Sequence, residues 1–349
     1  MMRAAVLRDR RIAVEERARP EPGPGQVLLK IRLCGICGSD LHLAKHAAEI
    51  AKLGEEFGAP PQDLSRGLIL GHEFIGEIAE FGPETARTLQ IGDRVVSVPF
   101  LLENGVPKPI GASVDVAGAY AEYMLASEAL LLKVPDEVPD EAAALVEPLA
   151  IAWHAVAKSG LPPVDAAAVV LGCGPIGLAI VTVLKMHGVE GIVASDFSPR
   201  RRELATTLGA AQAISPKDGN ALAAAAAASP GKPLVIYDCT GAQGVLGVAV
   251  RDAAAGTRIV VAGIAHGEET INPMLGIAKE LSIQFVVYYT PEEFAATLQA
   301  VADGRLQWRP LLSATIGLNA VDDAFRLLED PERHAKILIA PWSDAGLPA

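Results

Sequence analysis

Gly172-Cys173-Gly174-Pro175-Ile176-Gly177 decides the fold of half this chain. The apolar run Ala166 to Leu171 before it reads as a buried strand and Pro175 to His187 after it as a helix, so the glycines occupy a strand-to-helix turn. Lacking side chains, the backbone there turns sharply and can approach a pyrophosphate, whose charge the unpaired N–H groups of the helix start favour. About 20 residues on, Asp196 ends the next strand, Gly191 to Asp196, where a carboxylate can take up the ribose hydroxyls of a dinucleotide. A helix at Pro199 to Leu208 and strands at Leu234 to Asp238 and Arg258 to Gly263 continue the alternation, which predicts a doubly wound parallel sheet. The window Ala166 to Met186 is apolar enough to imitate a membrane span, but Gly172, Gly174, Pro175 and Gly177 interrupt it.

Upstream the pattern differs. Val27 to Leu33 alternates in part with period two, Gly71-His72-Glu73 leads into a strand from Phe74 to Glu80, and Gly92-Asp93 turns into Arg94 to Val98. The first ~130 residues therefore favour a mostly β module, with 99 to 119 as a Pro/Gly-rich connection. Leu43 to Phe57 reads as an amphipathic helix, and Asp140 to Ala157 as an Ala-rich one. Ile283 to Tyr289 is an apolar strand closing the βα series. At a sheet edge it needs a partner, so it is the expected joint of a homodimer or homotetramer.

At 349 residues the chain is long enough for about two domains with cores of their own. The 42 acidic against 30 basic residues give a net charge of -12, which argues against a nucleic acid partner and toward small-molecule chemistry. Met1 to Arg10 has no apolar signal-peptide region, and four cysteines do not form a secreted framework, so a cytoplasmic, membrane-free protein is expected.

Cys34-Gly35-Ile36-Cys37-Gly38-Ser39-Asp40-Leu41-His42 concentrates metal-capable and proton-carrying side chains. A Cys-x-x-Cys pair alone proves little. It gains meaning from the later Gly71-His72-Glu73, from Glu147-Pro148-Leu149 and from the glycine signature. That ordered set resembles the zinc-dependent medium-chain alcohol dehydrogenases, particularly their sorbitol, threonine and butanediol dehydrogenase-like branch.

The resemblance implies an α/β protein with a β-rich GroES-like catalytic domain (1–150 and 290–349) and a Rossmann NAD-binding domain (151–289). It implies one catalytic zinc on Cys37, His72 and Glu147, with Glu73 competing for the third place or acting in ligand exchange; Asp40 reads either as the acceptor that orients His72 or as a turn or cap residue. Cys34 would pack at the strand end, and Cys173 and Cys239 likewise. The lobe that in many relatives carries four cysteines has none here, so no structural zinc is expected. Ser39 would accept the alcohol proton and pass it to His42 while hydride leaves for the nicotinamide.

For the cofactor, the resemblance adds Arg201, Gly263 and Ile264 to Gly172, Gly174, Pro175, Ile176, Gly177 and Asp196. Asp196 favours NAD over NADP, while Arg200, Arg201 and Arg202 leave a 2′-phosphate open. Where some relatives carry a basic residue near the pyrophosphate this chain has Gly38, so Lys336 is a candidate for that grip. The expected activity is reversible oxidation of a secondary alcohol, diol or polyol; the alternative is an NADP-dependent carbonyl reductase for a bulkier substrate, to which the 43–67 segment would adapt the pocket. His46, four residues after His42 on the same helical face, could pair with it on a metal, but a solvated surface histidine is the default reading, and His154, His187, His266 and His334 carry no supporting pattern.

Overall fold

The computed structural model describes residues 1–265 and 267–347; His266 lies outside the described residues. Two compact units form. The first comprises residues 1–147, 312–330 and 336–349, the second 148–311 and 331–335.

The first unit is built on a sheet ordered Leu312–Ile316, Lys336–Ile339, Gln26–Gly35, Glu73–Phe81, Arg94–Ser97, Leu131–Lys133, with Tyr123–Ser127 also paired to Gln26–Gly35. Gln26–Gly35 is its centre because its apolar positions are buried while Lys30 and Arg32 face water. A hairpin of Met2–Arg8 and Arg11–Arg17 precedes it, and Asp9 and Arg10 both adopt the left-handed φ that a two-residue turn requires. The connection expected at 99 to 119 contains a second hairpin, Phe100–Glu103 with Val106–Pro109, turned by Asn104-Gly105 in the same conformation. Its short strands and two prolines hide the alternation that would reveal it.

The helix begins earlier than the amphipathic pattern suggests, running Gly38–Glu56 with Cys37 at its N-cap and a non-helical break at His46. Ser39, Asp40 and His42 thus lie on its first turns. The Ala-rich segment is two helices, Asp140–Ala144 and Val146–Ala157.

The second unit holds a six-stranded parallel sheet ordered Gln212–Ile214, Val193–Ser195, Ala167–Leu171, Leu234–Asp238, Arg258–Val261, Ser282–Phe285. Its inner strands are buried on both faces, as a helix-covered parallel sheet requires. The apolar window near 166 to 186 resolves into a five-residue strand, a turn and the twelve-residue helix Pro175–Met186. No helix among the described residues is long and apolar enough to cross a membrane.

Two boundaries need correction. The edge strand ends at Phe285, short of Tyr289, and Tyr288 is left-handed at φ 58°. The chain returns to the first unit at Leu312, not 290, because helix Pro291–Ala302 and the residues after it, up to Leu311, are tied to the second unit. His154 Nδ1 lies 2.7 Å from Glu293, and Thr182 Oγ1 both donates to the Gln307 carbonyl and accepts from its N–H.

Candidate active site and dinucleotide loop

Three strand ends meet in the first unit. Gly35 pairs with Glu73 on one side and with Leu338 on the other, so Cys37, Glu73 and Lys336 are gathered at one end of the sheet. Cys37 Sγ, a His72 ring nitrogen and a Glu73 carboxylate oxygen all lie within 4.8 Å of one another. Tetrahedral zinc with bonds of about 2.0 to 2.3 Å needs donors about 3.5 Å apart, so a small closure suffices. A thiolate, an imidazole and a carboxylate form the donor chemistry that suits zinc.

Asp40 supports this group. Its Oδ2 accepts from the Cys37 N–H at 3.0 Å and from the Tyr120 hydroxyl at 2.7 Å, and its Oδ1 lies 3.5 Å from His72 Nδ1. Burial opposes a charge on Asp40, but the His72 ring and these donors hold its carboxyl below the ordinary carboxylate range. Burial likewise works against a protonated His72, yet Asp40 and Cys37 outweigh it and raise the ring well above its ordinary value. Tyr120 is pushed far up by burial and by Asp40, so it remains a donor. Nothing in Gly118-Ala119-Tyr120 signals this role in the sequence.

Glu73 is fully buried and engaged. Lys336 Nζ donates to both its oxygens at 2.7 Å and to the Ile36 carbonyl at 3.0 Å. Burial would discharge the ammonium, but Glu73 and then Cys37 raise its pKa instead. Lys336 is therefore a buried counter-ion, which displaces the expectation that it grips a pyrophosphate. Gly35 makes room for this pair, since a Cβ there would overlap the Glu73 carboxylate.

Glu147, buried in the first turn of Val146–Ala157, lies outside the trio of mutually close donors. Its carboxylate is near enough to contribute to raising Lys336. Ser39 Oγ is 3.4 Å from His72 Nε2. His42 follows three residues later, on the same helical face. Cys34 is wholly buried and its thiol is held well above its ordinary value by burial, so it is a packed side chain rather than a ligand-ready one. His46 bonds Glu49 at 3.0 Å.

In the second unit the three signature glycines do different work. Gly172 has φ 85°, and a Cβ on Gly177 would overlap the Gly172 carbonyl. A Cβ on Gly174 would meet nothing within 4 Å, so that glycine leaves open space at the helix start. Asp196 accepts from the Cys173 N–H at 2.7 Å and the Ser198 N–H at 2.8 Å, which fixes the carboxylate beside the loop. Of the arginines, Arg200 pairs with Glu203 and Arg202 donates to the carbonyls of Asp196 and Phe197. Arg201 keeps a buried Nε without a partner, a donor that a bound ribose or phosphate can satisfy. Gly263 N donates to the Asp238 carbonyl at 2.9 Å and Ile264 is exposed. Burial drives the Cys173 thiol up to about 12 and Cys239 well above its ordinary value.

Comparison with known proteins agrees with both halves. The alcohol dehydrogenase GroES-like domain family matches residues 23–136, and the zinc-binding dehydrogenase family matches 175–303. The (R,R)-butanediol dehydrogenase of Bacillus subtilis is 32% identical over 95% of this chain and 96% of its own. The chain belongs to the zinc-dependent medium-chain alcohol dehydrogenases.

Two solved structures add cofactors. The Escherichia coli CFT073 alcohol dehydrogenase rspB, complexed with NADH, superimposes with a TM-score of 0.81 at 27% identity, covering 97% of this chain and 99% of that one. A protein described as a zinc-binding dehydrogenase from Sinorhizobium meliloti 1021, bound to NADP, gives 0.79 at 27% identity, covering 98% and 99%. This dehydrogenase is thus an NAD(P)-dependent oxidoreductase of alcohols, for which a catalytic zinc is expected.

Proposed function

We propose that this dehydrogenase reversibly oxidises a secondary alcohol, diol or polyol with NAD, holding one zinc on Cys37, His72 and Glu147. The observation that carries the reading is the close approach of Cys37 and His72 beneath Asp40. Support for Glu147 is that it is a buried carboxylate near Lys336 at the same end of the sheet, and both Glu73 oxygens accept hydrogen bonds from that lysine. When bound, zinc supplies a Lewis acid for the alcohol oxygen and NAD supplies the hydride acceptor. Ser39 takes the hydroxyl proton as hydride departs, and its own hydrogen passes toward His42. Asp40 keeps the His72 proton on Nδ1, leaving Nε2 as the donor atom.

NAD is favoured over NADP because Asp196 stands where a 2′-phosphate would be repelled, and two of the three neighbouring arginines are engaged elsewhere. That none of the four cysteines lies between residues 38 and 172 supports one zinc per chain rather than two. Unpaired thiols accord with a cytoplasmic setting. The exposed edge strand Ser282–Phe285 supports a dimer joined along it. Screening a panel of secondary alcohols, diols and polyols with NAD and NADP, by absorbance of the reduced cofactor, tests the reading. Turnover of diols with NAD at least tenfold above NADP is expected; activity on none of them, or a preference for NADP, overturns it.

A further inference from the structure

In the first unit a cavity of about 250 Å³, sharing no lining residue with the metal-ligand trio, is lined by Arg8, Arg17 and Arg66 together with Ile69 and Ser113. No Asp or Glu is in its lining among the described residues, in a chain of net charge -12. The guanidiniums are fixed in place. Arg8 and Arg17 share one carboxylate, Glu15, and both donate to the carbonyl of Arg66, at 3.1 and 3.0 Å. Arg8 also donates to the Ser65 carbonyl at 3.0 Å. Arg66 pairs with Asp115 at 2.6 Å, but both partners are more than half exposed, so water screens that pair.

Two cations converging on one carboxylate leave a positive excess beside a third, and the Arg17 Nε is buried with no acceptor. A buried N–H without a partner is unfavourable, and guanidinium forks match oxyanions best. We propose that this cavity, whose lining includes no residue of the metal-ligand trio or of the dinucleotide loop, binds a small oxyanion, a phosphate or carboxylate group. Its size admits inorganic phosphate or the head of a phosphate monoester or dicarboxylate.

Occupancy would tie together the hairpin Met2–Arg17, the turn Leu64–Arg66 and the loop around Ser113. That loop runs into Gly118–Tyr120, hydrogen-bonded to Ile69–Gly71, and Tyr120 in turn holds Asp40. Binding is therefore expected to stiffen the support of the metal site.

The test is equilibrium dialysis of radiolabelled inorganic phosphate against the full metal-loaded chain, at constant ionic strength and with saturating NADH so that the dinucleotide loop is occupied. One saturable site per chain is expected, weakened at least tenfold in Arg17→Gln and in the exposed Arg66→Gln, with wild type alone melting higher in phosphate. Displacement by glycerol 3-phosphate points to a phosphate ester as the natural ligand, and displacement by succinate to a dicarboxylate. Absence of saturable binding, or unchanged affinity in a folded Arg66→Gln variant, overturns the proposal and leaves the arginines as an ion-pair network only.

Discussion

Lys336 Nζ lies 2.7 Å from both carboxylate oxygens of Glu73, and the two side chains are respectively 2% and 0% exposed. Removing one partner of such a pair leaves the other charge buried and unpaired, which typically destabilises by about 3–5 kcal/mol. Lys336→Met should therefore lose about that much in urea unfolding of the metal-free chain. Lys336→Met with Glu73→Gln should recover most of it. Equal losses in the single and double variants would show that the pair is not what fixes this end of the sheet.

The same lysine gives a pH signature. Its folded pKa is raised, so the stability it contributes is fully present below the unfolded value of about 10.4 and is lost as pH climbs through the folded one. Unfolding free energy measured between pH 8 and 11.5 should fall toward the alkaline end in wild type. In Lys336→Met that fall should be shallower.

The glycine loop separates folding from binding. Gly177→Ala forces a Cβ into the Gly172 carbonyl and should destabilise by roughly 2–3 kcal/mol, as overpacking against backbone does. Gly174→Ala meets no protein atom and has φ -69°, so stability should change by less than about 1 kcal/mol. Its NADH affinity, followed by fluorescence titration, should nevertheless drop at least tenfold. Normal affinity in Gly174→Ala would place the pyrophosphate elsewhere.

Phe285 and Val287 are 66% and 68% exposed beside an edge strand that pairs, among the described residues, only with Arg258–Val261. Phe285→Lys with Val287→Asp should convert a dimer into monomer in sedimentation velocity at micromolar concentration. A wild-type monomer would remove the joint.

The nucleotide half was legible because its signals are local: an apolar strand, glycines and a helix occur within about 20 residues. The ligand motif was legible for the same reason, since Cys37 to His42 lie on one helix start. Pairings across the chain were not. Lys336 meets Glu73 from 263 positions away and Tyr120 meets Asp40 from 80, distances at which no periodicity speaks. The return at Leu312 was hidden because helix Pro291–Ala302 is amphipathic whichever unit it covers; the Thr182 and Gln307 hydrogen bonds decide it. The third ligand divided sequence from geometry: Glu147 follows from the resemblance, while Glu73 is the carboxylate that falls within 4.8 Å of the Cys37 and His72 donor atoms.

The most direct test is zinc K-edge X-ray absorption of the purified protein beside its Cys37→Ala and Cys34→Ala variants. The account predicts one zinc per chain with a single sulfur and three nitrogen or oxygen neighbours, lost in Cys37→Ala and kept in Cys34→Ala. Two sulfurs, or an active enzyme that retains its zinc without Cys37, would contradict it.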